Sequence, residues 1–142
     1  MSAPVAEQHK SEQLKAYQTA VLLTRSGNEW ATVCYFYAAY RAARRAFNLD
    51  SRLDSDAAAR AVNPRLSASS RHVDFHNGHP SRGPGVNDIV RFLYPAIATK
   101  YELLHAKSVE VRYRTGLIGV TIEETRKLAD DIIRELTRLG PQ

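Results

Sequence analysis

Cysteine is almost absent from this sequence of 142 residues, which contains only Cys34. A single cysteine cannot form a disulfide within the chain and cannot build a metal site from several thiolates. Because Cys34 lies in an apolar stretch, we expect it to be a small buried residue. Disulfide-stabilised folds and thiolate metal centres within one chain are therefore excluded.

Long hydrophobic runs and a basic, apolar leader are also missing. The longest apolar run, residues 30–40, stops at Arg41 and is too short to cross a bilayer. The first residues are small and polar, so we expect no secretion signal and a frayed end up to about Glu7. These features favour a cytoplasmic protein with no membrane partner. They predict a single domain over residues 1–142, with a core of about 8–139.

Strand-like alternation and internal repeats are absent too, whereas apolar residues recur at three-to-four spacing along most of the chain. This spacing predicts main helices at about 8–25, 30–47, 87–114 and 121–139. Pro95 predicts a kink or a late start in the third of them. The sequence therefore predicts an all-α fold, a four-helix up-and-down bundle with a long loop or short helix between helices two and three.

Capping residues mark the starts of two predicted helices. Ser26 and Glu29 have the spacing of a capping box before the second helix, and Asn28 is an alternative cap. Thr121 and Glu124 have the same spacing before the last helix. In the segment after residue 48, Ser55 or its neighbouring Asp is expected to cap a short helix up to about residue 62.

The helix surfaces carry further predictions. Leu14, Tyr17 and Val21 mark an apolar face on the first helix, which suits an outer helix of a bundle. The second helix, which begins with Trp30, is apolar on nearly all sides and is predicted to be central. Its last polar face holds three arginines, which we interpret as a solvated face matched to the helix dipole, with a nucleic-acid patch as the alternative. They are Arg41, Arg44 and Arg45.

Positive charge dominates the composition. The net charge is +5 and the pI is about 9.6, which favours an anionic partner such as RNA or a nucleotide, although small soluble domains commonly carry such a charge. From Arg60 to Asn87 there are four arginines and one acid. A connection of this length inside a small helical domain is usually functional or disordered, and its charge favours function.

Residues 71–82 within that connection hold three of the five histidines. RNA can be cut without a metal when its 2′-hydroxyl attacks the adjacent phosphate. Histidine suits both proton transfers of that reaction, and an arginine fork stabilises charge on the phosphoryl oxygens. The spacing predicts Arg71 and His76 as the catalytic pair, with His72 and Asn77 in support. His9 and His105 stand apart and are interpreted as surface or core residues.

Two other readings of the same residues remain open. A zinc site is one, because three imidazoles and a carboxylate lie close together in the sequence, but no Glu occupies the metalloprotease position. The candidate ligands are His72, Asp74, His76 and His79. Nucleic-acid binding without catalysis is the other, with exposed rings stacking on bases. The candidate rings are those of Tyr35, Tyr37, Tyr40, Tyr94, Tyr101 and Tyr113.

The order of features resembles the HEPN superfamily of small helical domains. Residues 30–40 are similar to that family's second helix, a tryptophan followed by three aromatic residues and two alanines. Residues 101–104, followed by Ser108 and Arg112, resemble the end of its third helix. The last helix, opening with Glu123 and Glu124, also fits. The resemblance covers about residues 13–139.

The resemblance implies a metal-independent endoribonuclease without a cofactor, usually a homodimer, and it suggests a toxin or defence protein. The family motif is an Arg, a polar residue, three to five further residues and a His, which Arg71, His72 and His76 match. In the family this motif lies at the edge of a later core helix, whereas here it lies in the predicted connection. Non-catalytic members that bind a nucleotide, a nucleic acid or a protein are the alternative, and an antitoxin or nucleotidyltransferase is an expected partner. The residues expected to bind RNA are Arg65, Arg82, Arg112 and Arg114.

Overall fold

Six α-helices and two single-turn 3-10 helices make up most of residues 3–114 and 116–139, the part of the chain described by the computed structural model. Those residues contain no strand beyond one bridge between His79 and Gly83. The predicted all-α class is therefore confirmed. The helices are α1 (Ala3–Arg25), α2 (Trp30–Leu49), α3 (Asp56–Val62), α4 (Val86–Leu93), α5 (Pro95–Tyr113) and α6 (Ile122–Leu139).

Helix α2 is central, as predicted from its apolar composition. It packs against α1, α5 and α6, and α5 also packs against α4 and α6. The side chains of Tyr35, Phe36 and Phe47 on α2 are fully buried, and its alanines allow close approach of the neighbouring helices. Trp30 is an exception, because half of its surface is exposed at the start of the helix.

Helix α1 differs from the prediction in its start and in its buried face. It begins at Ala3 instead of after a frayed end to Glu7, because Ala6 and His9 are buried in contact with the rest of the fold. Leu14 was predicted to be part of the apolar face, yet it is 49% exposed. The buried face of α1 instead includes small side chains such as Ala20, and α1 packs against α2.

The turn between α1 and α2 is built differently from the predicted capping box. Gly27, with φ of +70°, donates its N–H to Thr24, and the N–H of Asn28 reaches Leu23, which is a Schellman end. The Asn28 side chain then accepts from the N–H of Trp30. Glu29 does not pair with Ser26, because its carboxylate accepts from the N–H of Leu117 in the link before α6.

The single predicted helix at 87–114 is two helices, α4 and α5. Pro95 occupies the first turn of α5, since it has no N–H and disfavours a helical conformation at Tyr94. Arg52 donates to the carbonyl of Leu93 at the end of α4. The same guanidinium donates to Asp50, which also accepts from the Tyr94 hydroxyl. These bonds satisfy polar groups at the joint between the two helices.

Two predicted caps are confirmed. The Ser55 hydroxyl accepts from the N–H of Ala58 at the start of α3. Thr121 and Glu124 exchange both bonds of a capping box before α6, at 3.0 and 3.1 Å. No helix in the described part of the chain has the length and apolar character needed to cross a bilayer.

His9 makes folding stability depend on pH. It is 4% exposed, and Arg41 donates to its Nδ1 at 3.0 Å, so a proton there meets a guanidinium. Burial, followed by the positive charges of Arg44 and Arg41, lowers the pKa of His9 to about 4. As the pH falls below the unfolded value, the unfolded chain binds a proton that the folded chain excludes. The contribution of His9 to the free energy of unfolding is therefore present in full above its unfolded pKa of 6.5, and it is lost as the pH falls toward 4.

We predict that His9→Gln removes part of this pH dependence, because a neutral amide can accept from Arg41 but does not titrate. Urea unfolding near neutral pH and near pH ~4.5 should show the wild type losing about 2–3 kcal/mol more than the variant. Equal losses in the two proteins would contradict this account of His9.

Candidate functional site

The segment around His76 is held by the start of α4. The N–H groups of Val86 and Asn87, at the first turn of that helix, donate to the carbonyls of Phe75 and His76 at 2.8 and 3.1 Å. A Cβ at Gly85 would lie 2.5 Å from the carbonyl oxygen of His76, so only glycine permits this approach. The long connection therefore has a defined backbone at the predicted catalytic histidine.

Aromatic rings of α2 pack against the ring of His76. Its ring centre lies 5.1 Å from that of Tyr40 and 5.4 Å from that of Phe36. The Tyr40 hydroxyl donates to the carbonyl of Asp74 at 2.6 Å, which ties the segment to α2 a second time. The Nδ1 atom of His76 is buried with no hydrogen-bond partner among the described residues. The ring is thus held by packing, and not by a bond to either nitrogen among those residues.

A second histidine, His105 of α5, lies against His76. The two ring centres are 4.7 Å apart, and the His105 ring stacks on Phe36 at the same distance. The Asn87 amide nitrogen lies 2.9 Å from Nδ1 of His105. An amide NH₂ only donates, so Nδ1 accepts and the ring proton is on Nε2. Three parts of the chain, α4, α5 and the connection before α4, meet at this pair.

Arg112 supplies the positive charge of the site. It lies on α5 two turns after His105, and its guanidinium carbon is 5.6 Å from the Tyr37 ring and 5.0 Å from the Tyr113 ring. Within the described residues, no carboxylate lies at ion-pair distance from it. A cation without a protein counter-ion beside two imidazoles is an arrangement suited to an anionic ligand.

Both histidines are neutral near neutral pH in the free protein. Burial lowers the pKa of His76, and the charge of Arg112 lowers it further, while Asp74 opposes this effect. Burial, followed by His76 and Arg112, lowers the pKa of His105 to about 4. A phosphate bound next to the two rings and Arg112 would oppose these electrostatic effects, because it adds negative charge where the site now has positive charge.

The other residues predicted for catalysis lie apart from this pair or at its edge. Arg71 donates to Asp54 at 2.7 Å, and no contact joins it to His76 among the described residues. His72 is exposed at the end of a 3-10 turn. Asn77 is close, because its side-chain oxygen lies 3.5 Å from the amide nitrogen of Asn87.

The residues predicted to bind RNA are spread over the surface. Arg112 is at the histidine pair. Arg82 lies 4.1 Å over the Phe75 ring, next to the His76 segment. Arg65 lies over Phe92, and Arg114 is exposed at the end of α5.

The two alternative readings have a structural outcome as well. No group of three His, Cys, Asp or Glu side chains positioned to hold a metal occurs within residues 3–114 and 116–139. Of the rings proposed to stack on bases, Tyr113 is 70% exposed. Tyr37 is half-buried, while Tyr35, Tyr40, Tyr94 and Tyr101 belong to the core.

His105 and Asn87 are the site residues that the sequence interpretation missed. His105 was interpreted as an isolated surface or core residue. A signal was present, because His105 is four residues after Tyr101 and seven before Arg112, so all three share one face of a helix. Nothing in the sequence, however, connects that face to His76.

No known family model, curated protein or solved structure matches this chain. The interpretation of the site therefore rests on its own geometry and on the sequence resemblance.

We predict that Asn87→Asp raises the pKa of His105, which is about 4 in the wild type. The expected rise is roughly one unit or more, because a carboxylate beside Nδ1 favours the imidazolium. NMR titration of the imidazole C–H protons measures this shift directly. Asn77→Asp is the matched control, since it adds the same charge at the edge of the site. Equal effects of the two substitutions on His105 would contradict the described contact with Asn87.

Proposed function

We propose that this chain is a HEPN-type endoribonuclease that cuts RNA without a metal. In this proposal His76 and His105 transfer the protons and Arg112 stabilises charge on the phosphoryl group. The observation that carries the proposal is the histidine pair, whose ring centres are 4.7 Å apart. The charge of Arg112 acts on both rings, and no carboxylate of the described chain lies at ion-pair distance from its guanidinium.

The reaction needs two proton transfers and one stabilised charge. His76 accepts the proton of the RNA 2′-hydroxyl as that oxygen forms a bond to the adjacent phosphorus. His105 donates a proton to the 5′-oxygen as its bond to phosphorus breaks. The products are a 2′,3′-cyclic phosphate and a free 5′-hydroxyl. Arg112 donates to the phosphoryl oxygens, which carry more charge in the transition state than in the substrate.

Asn87 fits the requirement that His105 change its protonation state. In the free protein the amide nitrogen faces Nδ1 of His105, and the amide oxygen is buried without a partner among the described residues. Rotation of this amide brings its oxygen to Nδ1, where it accepts from a protonated ring. Substrate phosphate raises the pKa of His105 and so favours the imidazolium that acts as the acid.

The four-helix bundle arrangement is part of the same proposal. Helices α1, α2, α5 and α6 correspond to the four helices of an up-and-down bundle, and residues 50–94 form the insertion between helices two and three. Both proton-transfer groups lie in one chain, so the expected homodimer is not needed to assemble the pair. Light scattering of the purified protein tests the dimer independently of activity.

We predict that His76→Ala and His105→Ala each lower the cleavage rate by about 10²–10⁴-fold, because each removes a positioned proton-transfer group. Cleavage of a fluorescent RNA in EDTA measures the rate, and identification of the cyclic phosphate tests the chemistry. His79→Ala is the control, since the side chain of this exposed histidine hydrogen-bonds only to Ser81 in the described structure. Circular dichroism checks that the variants are folded.

The outcomes separate the proposal from its rivals. Undiminished cleavage by both alanine variants would show that the site lies elsewhere. Activity that disappears only with the chelator would favour a metal site. An inactive wild type that still binds RNA, a nucleotide or a protein would favour the non-catalytic module, in which an antitoxin or nucleotidyltransferase is the expected partner.

The role predicted for Arg71 is tested by a pair of variants. If Arg71 contacts RNA, Arg71→Ala slows cleavage while Asp54→Asn leaves it unchanged, because only the first removes the guanidinium. If the ion pair is structural, both variants lower thermal stability and neither changes the cleavage rate of the folded protein.

A further inference from the structure

Three arginines of α2 are partly buried without ion-pair partners. Within the described chain, no carboxylate lies at ion-pair distance from Arg41, Arg44 or Arg45. The Nε atoms of Arg44 and Arg45 are buried and have no hydrogen-bond partner there. The face is therefore only partly solvated, and a buried polar atom of a cation without a partner is costly.

His9 is an independent sign of uncompensated positive charge at the same place. Its Nδ1 accepts from Arg41, and its Nε2 is buried with no partner among the described residues. The charges of Arg44 and Arg41 contribute to the lowered pKa of His9. Because this histidine stays neutral, the net charge beside the two guanidinium groups is positive, which favours the binding of a negatively charged ligand.

Of the three arginines of α2, Arg41 and Arg44 contact the ring of Tyr40. Their guanidinium carbons lie 6.0 and 5.6 Å from the centre of the Tyr40 ring. The His76 ring lies 5.1 Å from the same centre. Both guanidinium groups and the His76 ring therefore lie around the same tyrosine ring, which brings them within a short distance of one another.

Arg41 is also accessible from solvent. It lines an open cavity of about 290 Å³ between α1 and α2, whose walls include Tyr37, Thr19 and Glu12. Glu12 in the wall of this cavity pairs with Lys15 at 3.6 Å, and no carboxylate of the described chain lies at ion-pair distance from Arg41 or Arg44. A phosphate can approach through this cavity without displacing a helix.

We propose that Arg41 and Arg44 bind a backbone phosphate of RNA adjacent to the one cleaved between His76 and His105. The inference rests on the proposed ribonuclease function for the identity of the ligand. The subsite gives the enzyme a preference for substrates that carry at least one phosphate beyond the scissile one.

The first test measures binding without catalysis. A fluorescent single-stranded 2′-deoxy oligonucleotide has the phosphates but lacks the attacking hydroxyl. Its affinity is measured by anisotropy over a range of salt concentrations. Replacing both Arg41 and Arg44 by Gln should lower the slope of log affinity against log salt by about 0.7, the value for one phosphate contact on a single strand, and Arg41→Gln or Arg44→Gln alone should lower it by part of that amount. Arg134→Gln is the matched control, because that arginine is exposed and already paired with Asp131.

The second test measures the contribution of the extra phosphate to cleavage. The wild type should cleave a trinucleotide, which has two phosphates, with a kcat/KM about tenfold or more above that of a dinucleotide, because one charge-assisted contact contributes roughly that much. In Arg41→Gln and Arg44→Gln this ratio should fall toward one. Arg44→Lys should restore part of it, because the charge remains while the paired donors of the guanidinium are lost.

The two tests fail separately. Unchanged salt slopes in both glutamine variants overturn the subsite, as does a wild type that cleaves both substrates equally well. Reduced slopes in a protein that cleaves nothing support the phosphate site and reject the ribonuclease. Thermal unfolding accompanies each measurement, and if Arg44→Gln does not fold, Arg41→Gln and Arg44→Lys decide the outcome.

Discussion

Two hydrogen bonds at the first turn of α4 hold the candidate site together. The free N–H groups of a helix start need acceptors, and here the carbonyls of Phe75 and His76 supply them. Glycine at position 85 lets the two backbones approach. Without this contact, the bond from the Tyr40 hydroxyl to the carbonyl of Asp74 would remain, but the carbonyl of His76 would have no partner within the described residues. The contact with α4 places His76 against the aromatic rings of α2, next to His105 of α5.

Burial and positive charge both lower the pKa of the two histidines. Packing against Phe36 and Tyr40 removes water from the imidazoles, and Arg112 adds a like charge, so both histidines favour the neutral form. The arginines of α2 repeat the pattern beside His9. In each place the protein holds cations and neutral imidazoles with few acids nearby. This charge distribution is costly in the free protein and is relieved by an anion, which is the physical basis for both proposals.

Local signals in the sequence predicted the helices well. The apolar periodicity placed α2 and α6 within about two residues, and the capping residues Ser55 and Thr121 act as expected. The same reasoning failed where a residue had two choices of partner. The carboxylate of Glu29 accepts from the N–H of Leu117 in the link before α6 instead of closing a local capping box.

Periodicity and composition over a few turns are enough to predict the all-helical class, the central position of α2 and His76 as a candidate site residue. The groups that surround His76, in contrast, are known only from the packing of the helices. Arg71, five positions away, pairs with Asp54, while His105 and Arg112 reach the site from another helix. Such long-range contacts depend on how the shapes of many buried side chains fit together when the helices pack. The spacing of residues along the sequence therefore does not predict them.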